Sequence, residues 1–358
     1  MVKEYSEQHT KTEQLLHNLA FTPWYPRLPL SNMESSLHKK QLAGISTERP
    51  VFITALPRAG TTLLLKLCVE TGEFASHAYR DMPFLFTPIF WNRLSHHFRK
   101  SSMLTERVHG DGVLVNEDSP ESFEEIIWKE FWPSHYKKDR VVPWKALNYP
   151  DFEAFFREHM RKIIHLKGNG SNARYVSKNN LNIARISYLS QAFSDATILI
   201  LFRSPLQQAS SLLKQHRNFL VIHQEDPFAS KYMEDTGHFD FGDNLRPVDF
   251  NGWYSKGKNL DPNTLTFWLT YWTEAYQYLL DQAGDQVRFL SFDAFCENPQ
   301  KGLKKLAEII NLNDSRSLTS KAEQIRQPKP YSVDANEAPK ALLDQAEDVF
   351  DRLMKAEN

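Results

Sequence analysis

At 358 residues the chain is long enough for roughly two domains, or for one α/β domain carrying large inserts. Hydrophobic residues at 41%, charged residues at 24% and an aromatic set of Phe 24, Tyr 13 and Trp 8 supply a core and exclude wholesale disorder, and a mean hydropathy of -0.51 excludes a membrane-spanning chain. Lys+Arg 43 against Asp+Glu 44 gives a net charge of -1, so there is no global basic field for nucleic acid, and any anionic ligand must be held by a local site.

The opening MVKEYSEQHTKTEQ is charged and lacks the apolar stretch of a secretory signal, which reads as a soluble, cytoplasmic protein. Residues 1–49 hold one short helical pattern (Leu15, Leu16, Leu19) and the proline-broken PWYPRLPL, read as an N-terminal arm packed on a main domain filling 50–358. PVFITAL (50–56) is a short apolar, β-branched run stopped by Pro57, hence a buried strand. TTLLLKLCVE follows as a helix, with Leu63, Leu64, Leu67 and Cys68 at helical spacing. Residues 79–170 form an aromatic, mostly helical insert, whose runs at 84–91 and 128–136 are candidates to line an apolar acceptor pocket. RYVSK (174–178) is a second strand, before a helix carrying Ile186, Leu189 and Phe193.

ATILILF, the most hydrophobic run, ends at Arg203 and is far too short to cross a bilayer. SPLQQASSLLKQHR restarts a helix, with Ser204 as N-cap and Pro205 at its first position. Residues 218–262 carry Gly, Pro, Asp and Asn without a period and read as a long structureless lid. A core helix follows over 264–280, then a fourth strand, QVRFLSF (286–292), and the helix QKGLKKLAEII. Strand–helix alternation with near-continuous apolar strands predicts an α/β fold: a parallel sheet flanked by helices on both faces. The cysteines, Cys68 and Cys296, are too few for a disulfide framework or a zinc cluster.

The chemistry concentrates at strand–PRAGTT–helix. A turn holding Gly60 between a strand and a helix aims backbone N–H groups and the positive helix end at one point, which cradles a phosphate or sulfate, and Thr61 and Thr62 add hydroxyls. A nucleoside-triphosphate loop of the GxxxxGK[ST] type would carry lysine where Thr61 stands; here the cation precedes the glycine, at Arg58. The acidic stretch EDSPESFEE (117–125) reads as helix-start chemistry, with Asp118 or Ser119 as cap, Pro120 early and glutamates at the positive dipole end.

PRAGTTLLL resembles the 5′-phosphosulfate loop of the sulfotransferases that use 3′-phosphoadenosine-5′-phosphosulfate (PAPS), in the P-R-S-G-T-T form of bacterial and tyrosylprotein-type members. ILILFRSPLQQASS places Arg203 and Ser211 at the spacing of that family's 3′-phosphate ligands. YVSKNN puts Lys178 where related enzymes carry a lysine beside the transferring sulfuryl group. RFLSFDAFCENPQKGLKKL is similar to a further family segment, with Phe292, Asp293 and Phe295 replacing the usual Tyr, Glu and Leu.

The resemblance spans about 50–310 and implies a P-loop-like α/β domain that binds PAPS as co-substrate through Arg58, Ala59, Gly60, Thr61, Thr62, Arg203 and Ser211. It implies transfer to a hydroxyl of a small molecule or biopolymer without a metal, with Lys178 and Arg58 offsetting developing charge. The general base falls to Asp81 in AYRDMP, or to His109 (with Asp111) in HGDG. A P-loop kinase and a non-catalytic nucleotide-binding relative stay open as alternatives, and neither the acceptor nor the oligomeric state is legible.

Overall fold

The structure, a computed structural model, describes residues 11–22, 24–95, 105–106, 114–121, 123–170, 172–257, 260–332 and 337–357. Its strands are β1 (Val51–Thr54), β2 (Phe74–Ala75), β3 (Thr105–Glu106), β4 (Leu114–Val115), β5 (Arg174–Lys178), β6 (Thr197–Phe202) and β7 (Val287–Ser291). Five of them form one sheet in the order β2-β5-β1-β6-β7, every neighbouring pair parallel, while β3 and β4 make a separate antiparallel pair. This is the expected α/β architecture.

The apolar strands are near-continuous because both faces are covered. Successive side chains of a strand point to opposite faces, so Phe52, Ile198 and Ile200 enter one core cluster while Val51, Ile53, Leu199 and Leu201 enter the other. The second cluster includes Leu64, Leu65 and Cys68 of the helix Thr61–Val69 and Leu303 and Leu306 of the helix Pro299–Ile309. Burial pushes the Cys68 thiol up to about 12, so it packs as a small hydrophobe. Among the described residues no helix is long and apolar enough to cross a membrane.

Three sequence expectations are corrected. Residues 218–262 are not structureless: the helix Pro205–Glu225 runs on through the first part, and Asp226 starts another, Pro227–Thr236, by accepting from the N–H of Phe228 and Ala229. Phe239, Phe241, Val248 and Phe250 beyond it are buried. Within the aromatic run 128–136, Trp128 and Trp132 are buried in the core and line no pocket, while Phe131, His135 and Tyr136 are half-buried. Trp128 lies 4.4 Å from the ring of Phe152 and under the Arg185 guanidinium at 4.2 Å. The acidic stretch does not open a helix at Asp118 or Ser119: Arg80 pairs with Asp118, the Ser119 hydroxyl donates to Asn116, and the helix begins at Glu125.

The N-terminal region is also more helical than its prolines suggest, with helices Lys11–Ala20, Arg27–Leu37 and Lys39–Leu42. Its seam with the helix Pro150–Lys167 holds a fully buried ion pair, Lys162 Nζ to Glu34 at 3.1 Å. Lys162 also donates to the carbonyl and hydroxyl of Ser31, both at 2.9 Å, and Glu34 accepts from the Phe90 N–H at 2.7 Å. Removing one partner strands the other charge, so Lys162→Met should destabilise the fold by about 3–5 kcal/mol in denaturant melts. Glu34→Leu added to it should recover much of that loss.

Candidate active site

The carboxyl ends of β1, β5 and β6 adjoin at the centre of the sheet, the place where parallel α/β sheets bind ligands. From β1 the chain turns through Pro57–Gly60 into the helix Thr61–Val69. Within this turn Arg58 sits at φ 70° and Gly60 at φ 83°, so the backbone enters the left-handed region twice in three residues. Such a path turns successive amides to one side and suits an anion, whereas a non-glycine residue there is held against its preference. Gly60 is required twice over: beyond its φ, a Cβ would lie 2.2 Å from the Phe292 ring. Ala59 and Thr61 are buried beneath the turn and Thr62 is partly exposed.

The second predicted ligand pair arrives at the same turn. Arg203, just past β6, donates through Nε to Asp293 at 2.9 Å and through Nη1 to the Arg58 carbonyl at 3.3 Å. Asp293 also accepts the Ser204 N–H at 2.7 Å. Ser211, two turns into the next helix, accepts from Arg58 Nε at 3.2 Å and lies 3.2 Å from the Tyr331 hydroxyl. Gln208 donates to the carbonyls of Leu56 and Pro57 at 3.0 Å, and Trp272 Nε1 donates to its oxygen. Two guanidinium groups and a hydroxyl thus converge on one turn, and that donor set suits the phosphates of a nucleotide.

Lys178 ends β5 beside Ile53 of β1. Its ammonium pairs with Glu121 at 2.9 Å, and Glu121 accepts from the Tyr79 hydroxyl at 3.4 Å. Beyond Lys178, the Asn180 carbonyl accepts from Thr54 Oγ1 at 3.2 Å and the Asn180 amide donates to Asp240 at 3.2 Å. The Tyr79, Phe123 and His238 rings stand on this side, with Phe123 5.7 Å from Tyr79 and 6.4 Å from His238.

Asp81 is not brought to Lys178. Its buried carboxylate accepts the Ala78 N–H at 2.8 Å within its own turn, pairs with Lys167 at 3.0 Å and lies 3.7 Å from His77. Burial raises its pKa, but His77, Lys167 and the Ala78 N–H outweigh that and leave it below the ordinary value, which makes it a weaker proton acceptor. His109 and Asp111 lie outside the described residues.

The sequence profile of the Sulfotransferase family matches residues 50–237, more than half of the chain. The chain belongs to the sulfotransferase family. Among solved structures it is similar to sulfotransferase STF9 from Mycobacterium avium, at TM-score 0.52 and 12% identity over 91% of this chain and 80% of that one. It is also similar to sulfotransferase STF1 from Mycobacterium tuberculosis H37Rv, at TM-score 0.46 and 12% identity over 90% and 81% of the two chains. At such identity the likeness to STF9 is one of fold. No curated protein sequence matches the chain.

The family's replaced segment has a visible job in this member. Phe292 roofs Gly60 and Asp293 holds Arg203, so these two residues brace the turn after β1 and the end of β6. Gly60→Ala should cost about 1–2 kcal/mol for the left-handed backbone and about 1–3 kcal/mol more for the overlap with Phe292. Thermal melts check this, and Phe292→Leu in the Gly60→Ala background should return part of the loss by clearing the overlap.

Proposed function

We propose that the protein transfers the sulfuryl group of PAPS to an acceptor hydroxyl. The observation that carries this reading is the meeting of Arg58, Arg203 and Ser211 at one left-handed turn. A nucleotide bearing phosphates on both its 5′ and 3′ sides uses such paired anion seats, whereas a triphosphate-cleaving enzyme needs a lysine where Thr61 stands. PAPS supplies an activated sulfuryl group on a bisphosphate leaving group.

The chain's part is positioning and charge. The Ala59–Thr62 amides and hydroxyls with Arg58 hold the 5′ side, and Arg203 with Ser211 holds the 3′-phosphate. Lys178 stands where charge grows on the leaving oxygen, an interaction stronger in the transition state than before it. In this reading Glu121 keeps Lys178 extended at 2.9 Å until the donor's anionic groups compete for the ammonium. The acceptor enters on the Tyr79–Phe123–His238 side, in keeping with an alcohol or phenol on an apolar body. The cations are side chains, so the reading needs no metal. It takes residues 50–358 as the working domain, 1–49 as an arm on it, and the cytoplasm as its compartment.

Adenosine 3′,5′-bisphosphate should stabilise the protein without divalent metal, by roughly 2.7 kcal/mol at 100 times its Kd, whereas Mg-ATP should give no shift. Arg203→Ala should erase the preference for the bisphosphate over 5′-AMP, while Arg58→Ala weakens both. Equal shifts with the two nucleotides on the unaltered protein, or a shift that requires magnesium, would contradict the reading and favour a P-loop kinase. Lys178→Ala should lower kcat about 10²-fold or more with little change in bisphosphate affinity. A rise in KM alone would remove Lys178 from the transition state.

A further inference from the structure

We infer that Asp240 is the group that takes the acceptor's proton, an inference that rests on the sulfuryl-transfer reading. Asp240 follows the helix Pro227–Thr236 in the segment His238–Phe241, far in sequence from the phosphosulfate loop, and no local motif marks it. Its neighbours fix it in place. Phe239 is buried under the Arg246 guanidinium at 4.3 Å, and Phe241 is buried against the Phe219 ring at 5.9 Å. Between these anchors the Asp240 carboxylate reaches the Asn180 amide at 3.2 Å, two residues past Lys178.

A base for this reaction needs to stand beside the sulfuryl-stabilising cation without being neutralised by it. Asp81, Glu121 and Asp240 differ in this respect. Asp81 is spent on Lys167 and its own turn, and Glu121 is paired directly with Lys178. Asp240 has a neutral amide as its hydrogen-bond partner and feels Lys178 only through space. The groups facing it are Lys178 and the Asn180 amide from the end of β5, Glu125 from the helix Glu125–Phe131, and the Tyr271 hydroxyl from the helix Leu265–Asp281. Glu125 itself is fixed by Arg185 at 2.5 Å and Asn179 at 2.8 Å, so its negative charge is held in place.

Burial raises the Asp240 carboxyl to about 6, with Asn180 and Lys178 lowering it and Glu125 adding to the rise. A base poised near the working pH is the efficient kind. In the step, one Asp240 oxygen accepts the proton from the acceptor hydroxyl as the acceptor oxygen forms its bond to sulfur. The bond from sulfur to the bridging oxygen of the 5′-phosphate breaks, and its electron pair leaves on adenosine 3′,5′-bisphosphate. Atoms and charge balance with no oxidant, reductant or metal.

Asp240→Asn is the discriminating variant, because its side-chain oxygen still accepts from Asn180. A structural tie is therefore kept while the proton acceptor is lost. The measurement follows ³⁵S from labelled PAPS to a panel of alcohols and phenols over pH 5–8, beside melts with adenosine 3′,5′-bisphosphate. The expected result is an unchanged bisphosphate shift, a loss of about 10²-fold or more in transfer, and disappearance of the acid limb near pH 6. The sign is fixed: only the carboxylate works, so wild-type kcat/KM falls as pH drops below that value. Asp81→Asn should leave the limb in place and lower the melting temperature.

Near-normal transfer by Asp240→Asn with the limb intact, or loss of the limb in Asp81→Asn instead, overturns the inference while the sulfuryl-transfer reading stands. Absence of any bisphosphate shift and of transfer in the wild type overturns both. Should Asp240→Asn melt early, Asp240→Glu keeps the test open: it should retain measurable transfer with a limb, and a Glu variant as inactive as a folded Asn variant counts against the inference.

Discussion

The Arg203 guanidinium is the tie on which this site depends. It leaves the end of β6, takes its direction from Asp293, and reaches the carbonyl of Arg58 in the turn after β1. One planar cation thereby fixes the distance between two strand ends and the backbone between them. Arg58, bent into a left-handed conformation, carries the tie onward to Ser211 and so to the helix Pro205–Glu225. The cost of that backbone is offset by bonds on every side: Gln208 holds the Leu56 and Pro57 carbonyls, and Trp272 holds Gln208. A rigid floor of this kind lets amides and guanidinium groups wait in position for an anion, which is the main demand of a group transfer with little covalent work for the protein.

Segments remote in sequence close the arrangement. The chain Pro330–Tyr331 lies against the helix Pro205–Glu225, with Gln207 donating to the Tyr331 carbonyl at 3.1 Å and accepting its N–H at 2.7 Å. The Tyr331 hydroxyl shares Ser211 with Arg58, and Lys214 stands 5.6 Å from its ring. On the other side of β1, Thr54 ties the Asn180 carbonyl and so links the anion turn to Lys178 and Asp240. In the proposed reading the two halves of the reaction share the ends of adjacent strands, the nucleotide side at β1 and β6 and the acceptor side at β5.

The parts of this site legible in the sequence are local ones. Strand β1, its turn and helix, and the Arg203–Ser211 spacing lie within short windows where apolar runs, a glycine and a proline at a helix start announce themselves. Lys178 is legible through the family resemblance, at the end of the RYVSK strand. Glu121, Asp240 and Tyr331 have no such local mark, since each reaches the site by tertiary folding, and Asp293 stands out only as a replacement within a family-like segment, with nothing local to show that it holds Arg203. The acidic run at 117–125 looked like helix-start chemistry, yet Glu121 turns to Lys178, Glu124 to Tyr175 and Ser177, and Glu125 to Arg185. Asp226–Pro227 carried a readable helix-start signal that the Gly- and Asn-rich surroundings masked.

The central claim is that one nucleotide carries phosphates to both seats at once. A crystal structure with adenosine 3′,5′-bisphosphate tests it most directly. The account predicts one phosphate against the Ala59–Thr62 backbone and the other within hydrogen-bond distance of Arg203 and Ser211, with Arg203 still held by Asp293. A bisphosphate bound elsewhere, or bound at the turn with its 3′-phosphate in solvent and Ser211 still between Arg58 and Tyr331, would contradict it.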